Sequence, residues 1–227
     1  TGRQFKETGE FILEEKQSPR FYPLSDNLMI CLSNLGDIKR LTFLNNKGKI
    51  IKKNGDYPSL LNDDDVKPDN DIFFSAISAT PDGNKFVLAC TKTDVLEIYD
   101  AEAGLEKRYQ GPVGIKLTVT KVKAGYGFMV LPEPRYDTYS SIIGGANEFW
   151  VSYNGFKIER QKPPSRSEQY PKQIFCFNWK GQPIRKIESD VPIMSFDIDW
   201  VNKILYSLEL HNGNPEITLH SLNEIIN

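Results

Sequence analysis

Three aspartates, Asp71, Asp137 and Asp190, each stand a few residues ahead of an apolar run in this chain of 227 residues. If those runs are the innermost strands of a repeated sheet, the three carboxylates approach one mouth. Converging oxygen ligands of that kind hold Ca²⁺, the one cofactor the sequence suggests. An Asp ahead of a strand also caps a turn through its own backbone, so both readings stand for all three. The first repeat has Ser18-Pro19-Arg20 at the equivalent place, which breaks the ring.

Two other stretches carry residue types suited to recognition. The segment LPEPRYDTYS, 131–140, offers Arg135, Tyr136 and Tyr139, types enriched at binding hot spots. The segment FKIERQKPPSRSEQYPK, 156–172, sets Lys157, Arg160, Lys162, Arg166 and Lys172 against Glu159 and Glu168, with Tyr170 among them. A basic loop with an aromatic grips an anionic or carbohydrate partner, and a Pro-rich polar loop is equally a solvated excursion. The expected binding residues are therefore Arg135, Tyr136, Tyr139, Arg166 and Tyr170.

Other chemistry finds little support. The acidic run NDDDVKPDND, 62–71, lacks the central Gly and distal Glu of a calcium loop and reads as a solvated loop. There is no G-x-S-x-G elbow and no phosphate-binding loop, while His211 falls in the turn HNGN and His220 inside a strand. Cys31, Cys90 and Cys176 sit in apolar runs without a CxxC pair and read as buried small hydrophobes. With 28 Lys and Arg against 30 Asp and Glu, the formal charge of −2 provides no global field toward nucleic acid. No run reaches the roughly 18 apolar residues a transmembrane helix needs.

The elements that would position these groups are short strands in a recurring order: strand, turn, strand, short loop, strand, turn, strand. The clearest copy runs over 174–208, and its second-hairpin motif recurs as RLTFLNNKGKII, VLEIYDAEAGLEKRY, IFCFNWKGQPIRKI and ITLHSLNEII. Asn45, Asp100, Asn178 and Asn223 follow the apolar run in each. Repeats of four short strands that must stack to bury their faces predict an all-β β-propeller of four-stranded antiparallel blades. About four blades are expected in one domain, 1–227, at roughly 16–60, 72–112, 137–190 and 191–227. The run FKETGEFILEE, 5–15, has no partner hairpin, which suggests that the chain starts inside the architecture. On this reading the stretches 53–72, 110–139, 156–172 and 189–193 are loops of one face, where propeller ligands sit.

The second hairpin with its Asn178, Trp179, Gly181 and Pro183, and the closing Leu205-Tyr206, resembles a bacterial TolB-like six-bladed β-propeller family, with Gln182 where that family tends to carry Lys. The resemblance implies that this chain is the C-terminal two-thirds of a six-bladed ring. It also implies a periplasmic or outer-membrane-associated protein exported behind a lipoprotein-type leader that would carry a lipid anchor. The expected role is non-catalytic binding or scaffolding through the loop face, toward a protein or glycan partner. The alternative is a calcium-dependent hydrolase or lactonase with its metal in the central channel.

Overall fold

The computed structural model describes residues 21–33, 38–58, 72–102, 104–115, 118–124, 127–133, 135–159, 164–165 and 167–225; for 118–124 and 127–133 the description is of the backbone. The expected edge strand at 5–15 and the acidic loop at 62–71 lie outside these residues.

Strands β1 (Phe21–Ser25), β2 (Leu28–Leu32), β3 (Leu41–Asn45) and β4 (Ile50–Asn54) pair in sequence order as a four-stranded antiparallel sheet. The second sheet holds β5 (Ser75–Ala79), β6 (Lys85–Cys90), β7 (Val95–Asp100) and β8 (Gly104–Gln110). Next come β9 (Thr118–Ala124) and β10 (Gly127–Glu133), a two-stranded ribbon. The third four-stranded sheet comprises β11 (Arg135–Gly144), β12 (Glu148–Ile158), β13 (Gln173–Asn178) and β14 (Pro183–Glu188). The last sheet has three strands, β15 (Ile193–Asp199), β16 (Ile204–His211) and β17 (Asn214–Ser221), followed by the one-turn helix α1 (Leu222–Ile225).

These meanders are the predicted blades, with three corrections. The stretch 110–139, expected as an irregular crossover, contains the β9–β10 ribbon and the start of β11. Its sequence TVTKVKA is rich in β-branched residues, and from Thr120 to Lys123 they alternate with Lys, a pattern that sustains a strand. The expected excursion at 156–172 begins late, because β12 continues to Ile158. In the fourth copy Asn223 does not close a hairpin; it lies in α1, and no fourth strand follows β17 among the described residues.

The recurrent turn residue does act as expected in the other three copies. Asn45 Oδ1 accepts the backbone N–H of Lys47 and of Lys49, both at 3.0 Å. Asn178 Oδ1 accepts those of Lys180 and Gln182, again at 3.0 Å, and Asp100 Oδ1 accepts that of Glu102 at 2.9 Å. This side-chain mimicry of a backbone turn is why Asn and Asp recur there. Gly181 completes the third copy with φ of 75°, and a Cβ on it would lie 2.1 Å from the Tyr109 ring of the preceding sheet. Tyr109 Oη donates to Lys180 O at 2.6 Å, so this turn is also an inter-sheet contact.

Strand alternation divides each middle sheet between two cores. Phe86 and Leu88 of β6 join Ile30, Leu32, Leu41 and Phe43 of the first sheet. Val87 and Ala89 point the other way, to Phe149, Val151 and Tyr153 of β12. Trp150 of β12 then faces the last sheet with Ile174 and Cys176, against Ile193, Phe196 and Leu205. A strand buried on both faces reads as a continuous apolar run, and KFVLAC is one. The first strands touch in series, β1 with β5, β5 with β11 and β11 with β15, and so form the inner ring. The outward face of the last sheet is different: Tyr206, Ile217 and Leu219 are 37%, 72% and 59% exposed.

A buried ion pair crosses the first interface. Arg40 Nε lies 3.0 Å from Glu97 Oε2, and both side chains are fully buried. Arg40 Nη2 also donates to Phe73 O at 3.1 Å and to Ser75 Oγ at 2.8 Å, while Arg108 Nε meets Glu97 Oε1 at 2.7 Å. Breaking such a pair from one side leaves a desolvated charge. Glu97→Gln is therefore expected to destabilise the fold by about 3–5 kcal/mol. The check is the urea midpoint at unchanged slope; a loss below about 1 kcal/mol, the scale of a surface pair, would show that Arg40 finds compensation elsewhere.

Candidate functional site

The inner strands bring one cleft together. Phe74 leads into β5, Thr91 follows β6, Asp137 to Ser140 belong to β11 and Met194 to β15, and all line a cleft of about 510 Å³ closed on its outer side by Pro164 and 169–171. An adjoining cleft of about 580 Å³ shares Asn154 and Tyr170 with it and reaches Phe156, Glu168 and Lys172.

Local chemistry fixes these groups. Thr138 Oγ1 lies 2.7 Å from the carbonyls of both Cys90 and Thr93, and Thr138 N donates to Thr91 O at 3.0 Å, pinning β11 to the β6–β7 connection. Asp137 pairs with Phe156 and Tyr139 with Tyr153, so β12 carries one extra residue between them. That bulge falls at Asn154 and Gly155, whose φ of 62° is the left-handed geometry such a bulge accommodates through glycine. Asn154 Nδ2 donates to Glu168 O at 3.0 Å, and Ser165 N and Oγ donate to Glu168 Oε2 at 2.8 and 2.6 Å. These bonds hold Ser165 and Glu168 to β12 beside the cleft.

The predicted residues are distributed unevenly. Asp137, Tyr139 and Tyr170 share this cleft. Tyr139 is only 2% exposed, with its ring 4.9 Å from that of Tyr153, so it presents an edge to the cleft from within the core. Arg135 is exposed at the start of β11, and Tyr136 packs partly against the cluster of Ile72, Phe73 and Val95. Arg166 and Asp71 lie outside the described residues. Asp190 lines a different cleft, and among the described residues no group of three His, Cys, Asp or Glu side chains is arranged to hold a metal ion. Asp137 is half-buried; burial pushes its carboxyl above the ordinary range, with the nearby Arg135 charge opposing.

The cleft at Asp190 holds what sequence reading missed. Between the third and last sheets, a cavity of about 430 Å³ with walls from Ile174, Ile187 and Leu205 contains Ser207, Glu209, His211 and His220. Glu209, 5% exposed in its side chain, accepts from His211 Nε2 at 2.9 Å, His220 Nε2 at 2.8 Å, Ser207 Oγ at 2.6 Å and Thr218 Oγ1 at 3.0 Å. Burial would raise its carboxyl, but these hydrogen bonds outweigh it and bring the pKa down to about 2. An ionised carboxylate only accepts, so both imidazoles turn an Nε2–H toward it. The same His220 nitrogen lies 3.1 Å from Ser207 Oγ, so among the described residues the ring has no second nitrogen engaged for a serine relay. The available signal was alternation, with Ser207, Glu209 and His211 at every second position of β16, all polar where the core face should be apolar.

Antiparallel four-stranded meanders packed face to face around an inner ring define a β-propeller. The sequence profile described as TolB-like 6-blade propeller-like matches residues 3–200, and the chain belongs to that family. Among solved structures, Citrobacter koseri AztD is 14% identical over 90% of this chain and 43% of its own, with a TM-score of 0.42. The RRP9 WD40 repeats are 8% identical over 88% of this chain and 46% of theirs, at 0.49, and the Myceliophteria thermophila Cps50 (Swd1) β-propeller domain is 10% identical over 84% and 49%, at 0.46. The chain thus spans less than half the length of each of these structures. No curated protein matches it. No helix among the described residues is long and apolar enough to cross a membrane.

The Glu209 cluster sets a pH dependence. Its folded pKa of about 2 lies below the ordinary 4.5, so its contribution to stability is complete above 4.5 and is lost as pH falls toward 2. Glu209→Gln should flatten the acid side of the melting-temperature profile in that window. An unchanged acid slope would show that other carboxylates set it.

Proposed function

We propose that the protein is a non-catalytic binding propeller of the bacterial cell envelope, periplasmic or attached to the outer membrane, that engages a protein or glycan partner through the clefts at its inner-strand mouth. The observation that carries this reading is the cleft beside Asp137, where Phe74, β11 and Met194 of β15 meet Pro164 and residues 169–171 around side chains left with hydrogen-bonding capacity. Rigid strands presenting such groups at a loop-covered mouth are the usual arrangement of a recognition site.

The chemistry favours binding over catalysis. The three cysteines are buried and outside any disulfide, and burial lifts the Cys176 thiol to about 12, far from a reactive thiolate. Ser207 and His220 do not form a relay, as their geometry shows. A net charge of −2 suits neither nucleic acid nor an anionic surface.

The test is capture from a bacterial envelope extract by the immobilised chain and by its Arg135→Ala/Tyr170→Ala variant. Both substitutions lie away from the cores, so the variant should melt with the parent while losing the captured species. Equal capture by the two proteins would overturn this placement of the site.

A further inference from the structure

The cleft beside Asp137 is lined by hydrogen-bond acceptors and donors that the fold leaves partly uncommitted. Among the described residues the half-buried Asp137 carboxylate accepts no hydrogen bond, and the Tyr170 hydroxyl makes none. Asn154 donates one Nδ2–H to Glu168 O at 3.0 Å, and Gln169 donates one Nε2–H to Pro164 O at 3.3 Å, which leaves each amide its oxygen and one N–H. Reversing either amide would set oxygen against oxygen, so the orientations are fixed by their partners. Residues carrying four acceptor oxygens, two on Asp137 and one on each amide, and two spare amide N–H groups therefore line one cleft beside the partly exposed Tyr170 ring.

Of these groups the half-buried Asp137 carboxylate gains most from a donor, whereas Gln169 is exposed to water. The occupant that suits this lining brings donors. An ammonium group would bring them, but the Arg135 charge acts on the same carboxylate and offsets its attraction for a cation. Neutral hydroxyl groups meet no such penalty, and a pyranose couples them to an apolar C–H face that an aromatic ring covers. The adjoining cleft, which shares Asn154 and Tyr170 and carries Phe156, extends the surface past one sugar ring.

We infer that these joined clefts form a saccharide-binding groove, in which Asp137, Asn154 Oδ1 and Gln169 Oε1 accept hydrogen bonds from sugar hydroxyls and the Tyr170 ring packs against the sugar face. This rests on the reading of the inner-strand mouth as the binding site, and it selects the glycan from the two partner classes. Arg135 has the supporting part of opposing the rise that burial imposes on the Asp137 carboxyl.

Calorimetric titration with cellohexaose, mannohexaose and chitohexaose, and with spermine as the cationic probe, tests it on the full chain. At least one saccharide should saturate with a Kd of about 1 mM or tighter, and spermine should not. Asp137→Ala and Tyr170→Ala should each weaken that saccharide at least ~10-fold with unchanged melting temperature, and Lys186→Ala, on the exposed side of β14, should leave it unaltered. No saccharide binding at about 10 mM, preferential binding of spermine, or saccharide binding that survives both cleft variants would each overturn the inference. If saccharides fail while capture from envelope extract still depends on Arg135 and Tyr170, the glycan assignment falls and the binding role stands. Loss of both removes the site altogether.

Discussion

The constraint on which this fold rests is that a middle sheet must be covered on both faces. Phe86 and Leu88 leave β6 toward one neighbour while Val87 and Ala89 leave it toward the other, so no sheet of this kind is a stable object alone. The Arg40–Glu97 pair sits inside the first of these interfaces. Apolar residues would seal that interface as well, since a buried pair gains little net stability over a hydrophobic isostere. What the pair adds is geometric. The guanidinium reaches Glu97, Ser75 and the Phe73 carbonyl together only when the segment before β3 docks on the second sheet in one position.

The interface between the third and last sheets uses a different device for the same purpose. Leu205 packs into the core, while two and four residues further along β16 the same face carries Ser207 and Glu209. Their polar groups are closed by His211, Thr218 and His220, and the last two belong to β17. A satisfied network of this kind ties β16 to β17 in one register, because a one-residue slip would turn Thr218 and His220 to the opposite face.

Much of this was legible in the amino-acid order, and the reason is local. Turn positions depend on residues that hydrogen-bond their own neighbours, so Asn45, Asp100 and Asn178 announced their hairpins. Apolar runs such as KFVLAC announced strands buried on two faces. The β9–β10 ribbon escaped notice because it falls between repeats, where a long connection was expected. Asn223 misled because a turn residue after an apolar run also begins a helical turn, and only the contact of Leu222 with the last core decides between them. The Arg40–Glu97 pair could not be read at all. Its members are 57 positions apart, and nothing near either one marks it as buried.

The cleft itself shows most clearly where sequence reading ends. Asp137 and Tyr139 are two apart, so a regular strand would give them one environment. The structure gives them different ones: Tyr139 is in the core against Tyr153, and Asp137 is at the edge of the cleft. The cause lies on the other strand, where the extra residue at Asn154 and Gly155 kinks β12 and increases its twist. A second irregularity, between Tyr139 and Ile142, places the extra residue on β11 instead and restores the register beyond it. The paired bulges confine the distortion to the mouth and leave Ile142, Val151 and Phe149 packed in the core. The groups lining the cleft are thus aimed by backbone defects that no spacing of Asp, Tyr or Arg encodes, and Gly155, which chemistry alone would pass over, is the residue that permits the first of them.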